Sequence, residues 1–373
     1  MPSDRELTSF VAERAGSTGT RLPVWGVLPP GLVGTYAQLS GGSRGLTART
    51  LSFHEVQIRI GPAWNLRAAP EKRPNDPGWY GHRERILEFG DALLVVGGEN
   101  VARELCMPAG RTRPVDLAGA RRALVDATVD PRRGDLHVLT AADQGPQYYA
   151  VVPSRALTRR IRAIEDAPAP LRQLEPIEGG AVFVADGHLG VAGEPGSSTR
   201  RLRWYEVDTT GFRIVDASAH GAIVTVDGIG PSLVRWTLDR RSGVVSSDTL
   251  DAAPHRSATL NRAMTGSGPR SLWAADARQV HRLDLHTRGR RRHQFAEDLT
   301  PSLVTFVADP DRGHAEDGGW LLTVVHRRAS GHAALLVLDA EALERPAVAA
   351  VGLPREMAGA AHATWLATQV TQI

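Results

Sequence analysis

A chain of 373 residues, 42% hydrophobic and 23% charged, can bury a sizeable core and has the balance of an ordinary soluble protein. Its pI is about 9.4, but the net charge is only +3 and Lys72 is the single lysine. The positive charge is therefore arginine scattered along the chain, which argues against a dedicated nucleic-acid surface.

From the N-terminus, "SDRELTSFVAERAG" places Ser3 three residues before Glu6, the spacing of a capping box, and predicts a short helix within residues 1–20. This segment lacks the apolar run of a secretory signal, and no later stretch approaches 18 apolar residues. With Cys106 as the only cysteine, no intrachain disulfide can form, so a cytoplasmic location is expected.

Residues 21–373 read as β-structure. "LVDATVDPRRGDLHVLTA" alternates into a turn at Asp130 to Gly134 and alternates out again. "LVRWTLDRRSGVVSSDTL" does the same at Asp239 to Gly243, "VHRLDLHTRGRRRHQF" at Asp284 to Gly289, and "RWYEVDTTGFRIVDA" at Asp208 to Gly211. Each predicts a hairpin built on an Asx/Gly turn. "GGWLLTVVHRR" and "HAALLVLDAEAL" form a further pair, whereas "ALTRRIRAIEDA" fits a helical turn or an edge strand equally well. The Arg-rich run from Arg288 to Phe295 reads as a solvated hairpin tip. Short strands at regular spacing over this length predict one all-β domain, a propeller with blades of roughly 40–50 residues.

Several motifs, in order, resemble those of the carotenoid cleavage oxygenases, the family of the retinal pigment epithelial membrane protein. They are "GVLPPGLVGTY" (Gly26 to Tyr36), "VDPRRGDLHVL", "LVRWTLDRRSGVVSSDTLD" followed by "ATLNRAMTGSGPRSLWAA", and the closing "EDGGWLLTVV", "LLVLDAEAL", "PAVAAVGLP" and "AAHATWL". The resemblance implies a seven-bladed β-propeller. It also implies an axial iron(II) held by four histidines from different blades, with glutamates orienting three of them; neutral imidazoles leave open positions for dioxygen.

Carried over position by position, the fourth ligand falls on His362. The first falls on Asp126, the second near Ala181, and the third on Arg213, with Ala219 where a supporting glutamate belongs. A further glutamate falls near Leu303, and an early one on Glu99. Three of the four imidazoles are thus replaced, and Arg213 sets a positive charge where a cation should sit.

The other histidines take structural readings. His188 and His220 are displaced from the ligand positions, His137 stands beside a hairpin, and His281, His286 and His293 surround an exposed Arg-rich turn. No zinc spacing, Walker loop or GxSxG elbow is present.

Asp126, Arg213 and His362 are accordingly the candidate catalytic residues, with no metal or other cofactor expected. Either Asp126 and Arg213 form a salt bridge that fills the old metal space, or the trio forms a metal-free acid–base site. The first functional expectation is non-oxidative chemistry (isomerisation, cyclisation or proton transfer) on an elongated apolar terpenoid, polyene or polyketide. The second is an iron(II) dioxygenase with other ligands. The third is a silent binding scaffold. The expected partner is an apolar small molecule, with no nucleic acid; peripheral membrane contact and oligomeric state stay open.

Overall fold

The computed structural model describes residues 18–366 except 43–44, 55–56, 67–84, 97–101, 107–110, 118–123, 143–144, 152–157, 194–201, 313–314, 355–356, 358–359 and positions 91, 116, 165 and 329. Most of the expected N-terminal helix lies outside these residues. The regular structure described is strand, apart from two single-turn 3-10 helices, Arg262–Met264 and Pro310–Arg312.

The strands form separate antiparallel sheets, six of four strands and one of five. The expectation of a seven-bladed propeller is therefore corrected. Among the described residues there are six four-stranded blades, and the remaining sheet takes a fifth strand, Val24–Gly26, against Ala349–Leu353. In chain order the innermost strands of blades one to six are Ala360–Leu366, Arg85–Phe89, Leu124–Val129, Leu171–Ile177, Arg213–His220 and Ser257–Thr259. Leu299–Ala308 is the innermost strand of the five-stranded sheet.

The hairpins within blades share one turn chemistry. Gly134 N donates to Asp130 O at 2.7 Å, and Gly243 N donates to Asp239 O at 2.8 Å. The aspartate side chain tightens each turn, with Arg132 N 2.9 Å and Arg241 N 2.7 Å from the respective Oδ1. In the Asp284 turn the left-handed position is taken by Arg288, at φ 63°, rather than by the glycine that follows. The turn at Asp208 to Gly211 departs from expectation. It joins the outermost strand of blade four, Arg203–Glu206, to the innermost strand of blade five, so it is a link between blades. "ALTRRIRAIEDA" resolves as an edge strand, Thr158–Ala163, on the outside of blade three.

The apolar core lies between sheets rather than on the axis. Val182, Val184 and Leu189 of blade four pack against Ala217, Val224 and Val226 of blade five. Trp273 and Val280 of blade six pack against Val304 and Leu321 of the five-stranded sheet. Comparable clusters fill every other junction around the ring. Because successive side chains on a strand point to opposite faces, a blade covered on both faces reads as a continuous apolar run. This explains why Gly180–Ala185 ("GAVFVA") is buried throughout.

Polar side chains tie the inner strands together. Gln173 acts as a substitute backbone, its Oε1 accepting from Ile214 N at 2.9 Å and its Nε2 donating to Ile214 O at 3.2 Å, which joins blade four to blade five. Ser257 Oγ accepts from Val304 N at 3.0 Å, joining blade six to the five-stranded sheet. The first and last described strands are both paired, Val24–Gly26 with Ala349–Leu353 and Ala360–Leu366 with Gly34–Gly42.

Candidate axial site

Because the apolar faces are spent between sheets, charged side chains on the inner strands have the axis to themselves. Asp126 lies mid-strand in blade three and is 3% exposed. The salt bridge expected between Asp126 and Arg213 is not the one formed. Arg85, at the start of the inner strand of blade two, donates through one guanidinium nitrogen to both Asp126 carboxylate oxygens. Leu174 N donates to Asp126 Oδ2 at 2.9 Å. Burial pushes the Asp126 carboxyl above its ordinary value, and Arg85 and the Leu174 N–H pull it back.

Arg213 and His362 are both half-buried on inner strands, and the Arg213 charge reaches the His362 imidazole. Desolvation lowers the Arg213 guanidinium to about 10, with repulsion from Arg85 adding to it. Among the described residues no carboxylate pairs with Arg213. His362 bonds the Ile86 backbone, and its Nε2 has no hydrogen-bond partner. Desolvation, followed by the charges of Arg85, Arg262 and Arg213, holds its pKa well below 6.5. The imidazole is therefore neutral, with an Nε2 lone pair facing a positive field.

The structure adds residues that sequence reasoning missed. The second-ligand position does not belong to Ala181, which is buried on the second strand of blade four opposite Pro176. The axial residue of this blade is Glu175, on the strand "LRQLEPI". Burial, only partly countered by Arg85, pushes its carboxyl up to about 8. Asp216 on blade five is pushed up to about 7 by burial, against a 3.0 Å hydrogen bond from Gly266 N; Asp227, directly across the strand pair, adds repulsion. Arg262, in the 3-10 turn after the inner strand of blade six, is electrostatically coupled to Arg85 and Glu175. Ala219 is buried on the inner strand of blade five, and Leu303 is half-buried in the five-stranded sheet. Glu99 lies outside the described residues. Local sequence singles out neither Glu175 nor Arg85, since "LRQLEPI" also carries Arg172 and Gln173 and "RILEF" also carries Glu88.

The site therefore combines the guanidiniums of Arg85, Arg213 and Arg262 with one ionic partner, Asp126, two carboxyls that hold protons near neutral pH, and one neutral imidazole. Such a set suits an oxyanion. It does not suit the axial iron that the resemblance implies, because one imidazole among guanidiniums gives a cation repulsion and too few donors. Among the described residues, the histidines considered as substitutes lie elsewhere: His137 bonds Tyr148 Oη at 2.6 Å within blade three, and His188 and His220 sit at strand ends.

Residues 208–367 match the family model of the retinal pigment epithelial membrane protein. A carotenoid cleavage oxygenase of Mycobacterium tuberculosis is 27% identical over 151 residues, 37% of this chain and 30% of that protein. A probable chloroplastic carotenoid cleavage dioxygenase 4 of Arabidopsis thaliana is 26% identical over 219 residues, 48% of this chain and 36% of that protein. The alignments thus span about a third of the curated relatives' length. Among solved structures, cobalt-substituted Synechocystis apocarotenoid oxygenase superposes with a TM-score of 0.77 at 15% identity, covering 94% of this chain and 96% of that one. The Pseudomonas brassicacearum lignostilbene dioxygenase gives 0.78 at 14% identity, covering 95% and 96%.

Proposed function

From the premise that this chain belongs with the carotenoid cleavage oxygenases, we propose that it moves a proton within an elongated apolar molecule bearing a conjugated carbonyl or carboxylate, without a metal on the axis. The observation carrying this reading is the electrostatic convergence of Arg85, Arg213 and Arg262 on neutral His362, beside protonated Glu175. The apolar body of the ligand is argued from the relatives, whose names refer to carotenoids and lignostilbene.

The sign of the field narrows the chemistry. A positive axis stabilises an enolate-like intermediate and opposes a carbocation, so double-bond isomerisation through an enolate fits and cationic cyclisation does not. Arg213 and Arg262 donate to the carbonyl oxygen. His362 Nε2 takes a proton from the carbon chain, and the C–H electron pair moves into the conjugated system and onto that oxygen. Return of a proton from His362, or from Glu175, to a different carbon completes the isomerisation with no net loss of atoms or electrons. Asp126 holds Arg85 in place and does not meet the ligand.

The test is incubation of untagged protein with a twenty-carbon polyene aldehyde in D2O containing a chelator. Isomers and deuterium uptake are read by mass spectrometry. The expected result is one exchanged deuterium per turnover, reduced about 10²–10³-fold by Arg213→Met, the scale of removing one oxyanion donor, and abolished by His362→Gln. Oxygen-dependent cleavage with stoichiometric iron that His362→Gln releases would refute the proposal, as would no exchange at all.

A further inference from the structure

The turn around Asp284, expected to expose its histidines, does so only for His286; His281 and His293 are buried. His293 is accounted for by its contact with Leu343 O at 3.1 Å. His281 is not. It stands in Gln279–Asp284 of blade six, facing His255 in the link between blades and Asp251 at the end of the outermost strand of blade five. All three residues are 4% exposed. Nδ1 of His255 and both ring nitrogens of His281 lack a hydrogen-bond partner, and His255 Nε2 has only a long contact with Asp251. Three such atoms in one buried cluster is a large exception to the rule that buried polar groups are paired.

The geometry indicates what would satisfy them. His255 Nε2 lies 3.4 Å and His281 Nε2 3.5 Å from the same oxygen, Asp251 Oδ2. One ligand atom from each of the three residues lies within 4.8 Å of the others. In a tetrahedral zinc site, with bonds of about 2.0 to 2.1 Å, neighbouring ligand atoms are about 3.3 Å apart. The two measured edges are close to that. The other carboxylate oxygen, Oδ1, accepts from Ala253 N at 3.0 Å, which orients the group and leaves Oδ2 directed at the imidazoles. The rings are 4.8 Å apart and tilted by 54°, so they do not stack face to face. Burial holds both imidazoles below their ordinary pKa, in the neutral form a metal requires.

We propose that Asp251, His255 and His281 form a binding site for a divalent transition ion of the zinc type, clipping blade five to blade six at the outer rim and separate from the axial site. Two imidazoles and one carboxylate make a borderline-soft, three-ligand set with a fourth position open to water. The groups facing it are Asp276, which lowers the cost of a cation, and Arg290, which raises it. Arg290 Nη1 is 3.2 Å from Asp251 Oδ2, on a side chain that is 52% exposed and can leave for solvent. Arg290 therefore competes with the ion for one oxygen.

Untagged protein stripped with a chelator is titrated with Zn2+ by calorimetry and with Co2+ by visible absorption. The expected result is one site of micromolar affinity or tighter, with an intense tetrahedral Co2+ band and a Tm that rises with Zn2+. His255→Gln and His281→Gln should each weaken it at least 100-fold, while His362→Gln leaves it unchanged. Arg290→Ala, at a side chain that is 52% exposed, should tighten it several-fold. Absence of binding to the wild-type protein at 100 μM Zn2+ would overturn the proposal. So would affinity that survives both glutamine substitutions, or that Arg290→Ala weakens. Because His362→Gln reports on the axis alone, either site can fail without the other.

Discussion

Glu175→Gln tests the reading of the axis through stability alone. Glu175 is 8% exposed, and burial raises its carboxyl from 4.5 to about 8, with Arg85 opposing and Asp216 and Asp126 adding to the rise. The folded state therefore keeps a proton that the unfolded chain releases above about 4.5. The stability this contributes is full below that value and is lost as pH rises through about 8. At about 1.4 kcal/mol per unit the whole effect is roughly 5 kcal/mol, of which about 3 kcal/mol falls between pH 5.5 and 9.5. Glutamine keeps the shape and neutrality of the protonated acid and cannot lose the proton. Urea unfolding followed by tryptophan fluorescence at fixed pH should show the variant more stable by about 1.5 kcal/mol at pH 5.5 and by roughly 5 kcal/mol at pH 9.5, a gap that widens by about 3 kcal/mol. Asp216 titrates in the same window in both proteins, so its direct effect cancels in the difference. Stability profiles that run parallel, within 0.5 kcal/mol across the range, would mean that Glu175 is ionised in the folded protein and the axial electrostatics are misread.

Asp126→Asn removes the charge that compensates Arg85 in a buried pair and should cost about 3–5 kcal/mol in urea; a loss under 1 kcal/mol would show that the pair is solvated. Arg213→Met removes a desolvated cation that no described carboxylate balances, so it should stabilise the fold by about 1 kcal/mol while weakening a polyene carboxylic acid at least tenfold and leaving the matching alcohol unaffected. Equal loss for both ligands would remove the oxyanion role. Gln173→Ala breaks both hydrogen bonds between blades four and five and should cost about 2 kcal/mol by chemical denaturation. His137, lowered from 6.5 to about 4 chiefly by burial, contributes stability present above 6.5 and lost as pH falls toward 4. His137→Gln should therefore flatten the acid side of the Tm profile, and an unchanged acid limb would contradict this.

The contrast between Glu175 and Ala181 shows where sequence reasoning stops. Strand identity was legible, because Asx turns at Asp130, Asp239 and Asp284 and the apolar runs beside them are local chemistry. So was the resemblance to the carotenoid cleavage oxygenases, carried by ordered motifs through "AAHATWL", and with it the placement of His362, Asp126 and Arg213 on inner strands of three blades. What the sequence could not supply was which strand of each blade faces the axis. Apolar residues on both faces erase the alternation that would reveal it, so Ala181 was placed where Glu175 belongs. Nor could it supply partners distant in the chain. Asp126 meets Arg85 rather than Arg213, and His281 meets His255 and Asp251 instead of solvent. Those pairings are set when the sheets close into a ring around apolar junctions. Local sequence determined the strands and turns, whereas the closure decided which charges were left facing one another.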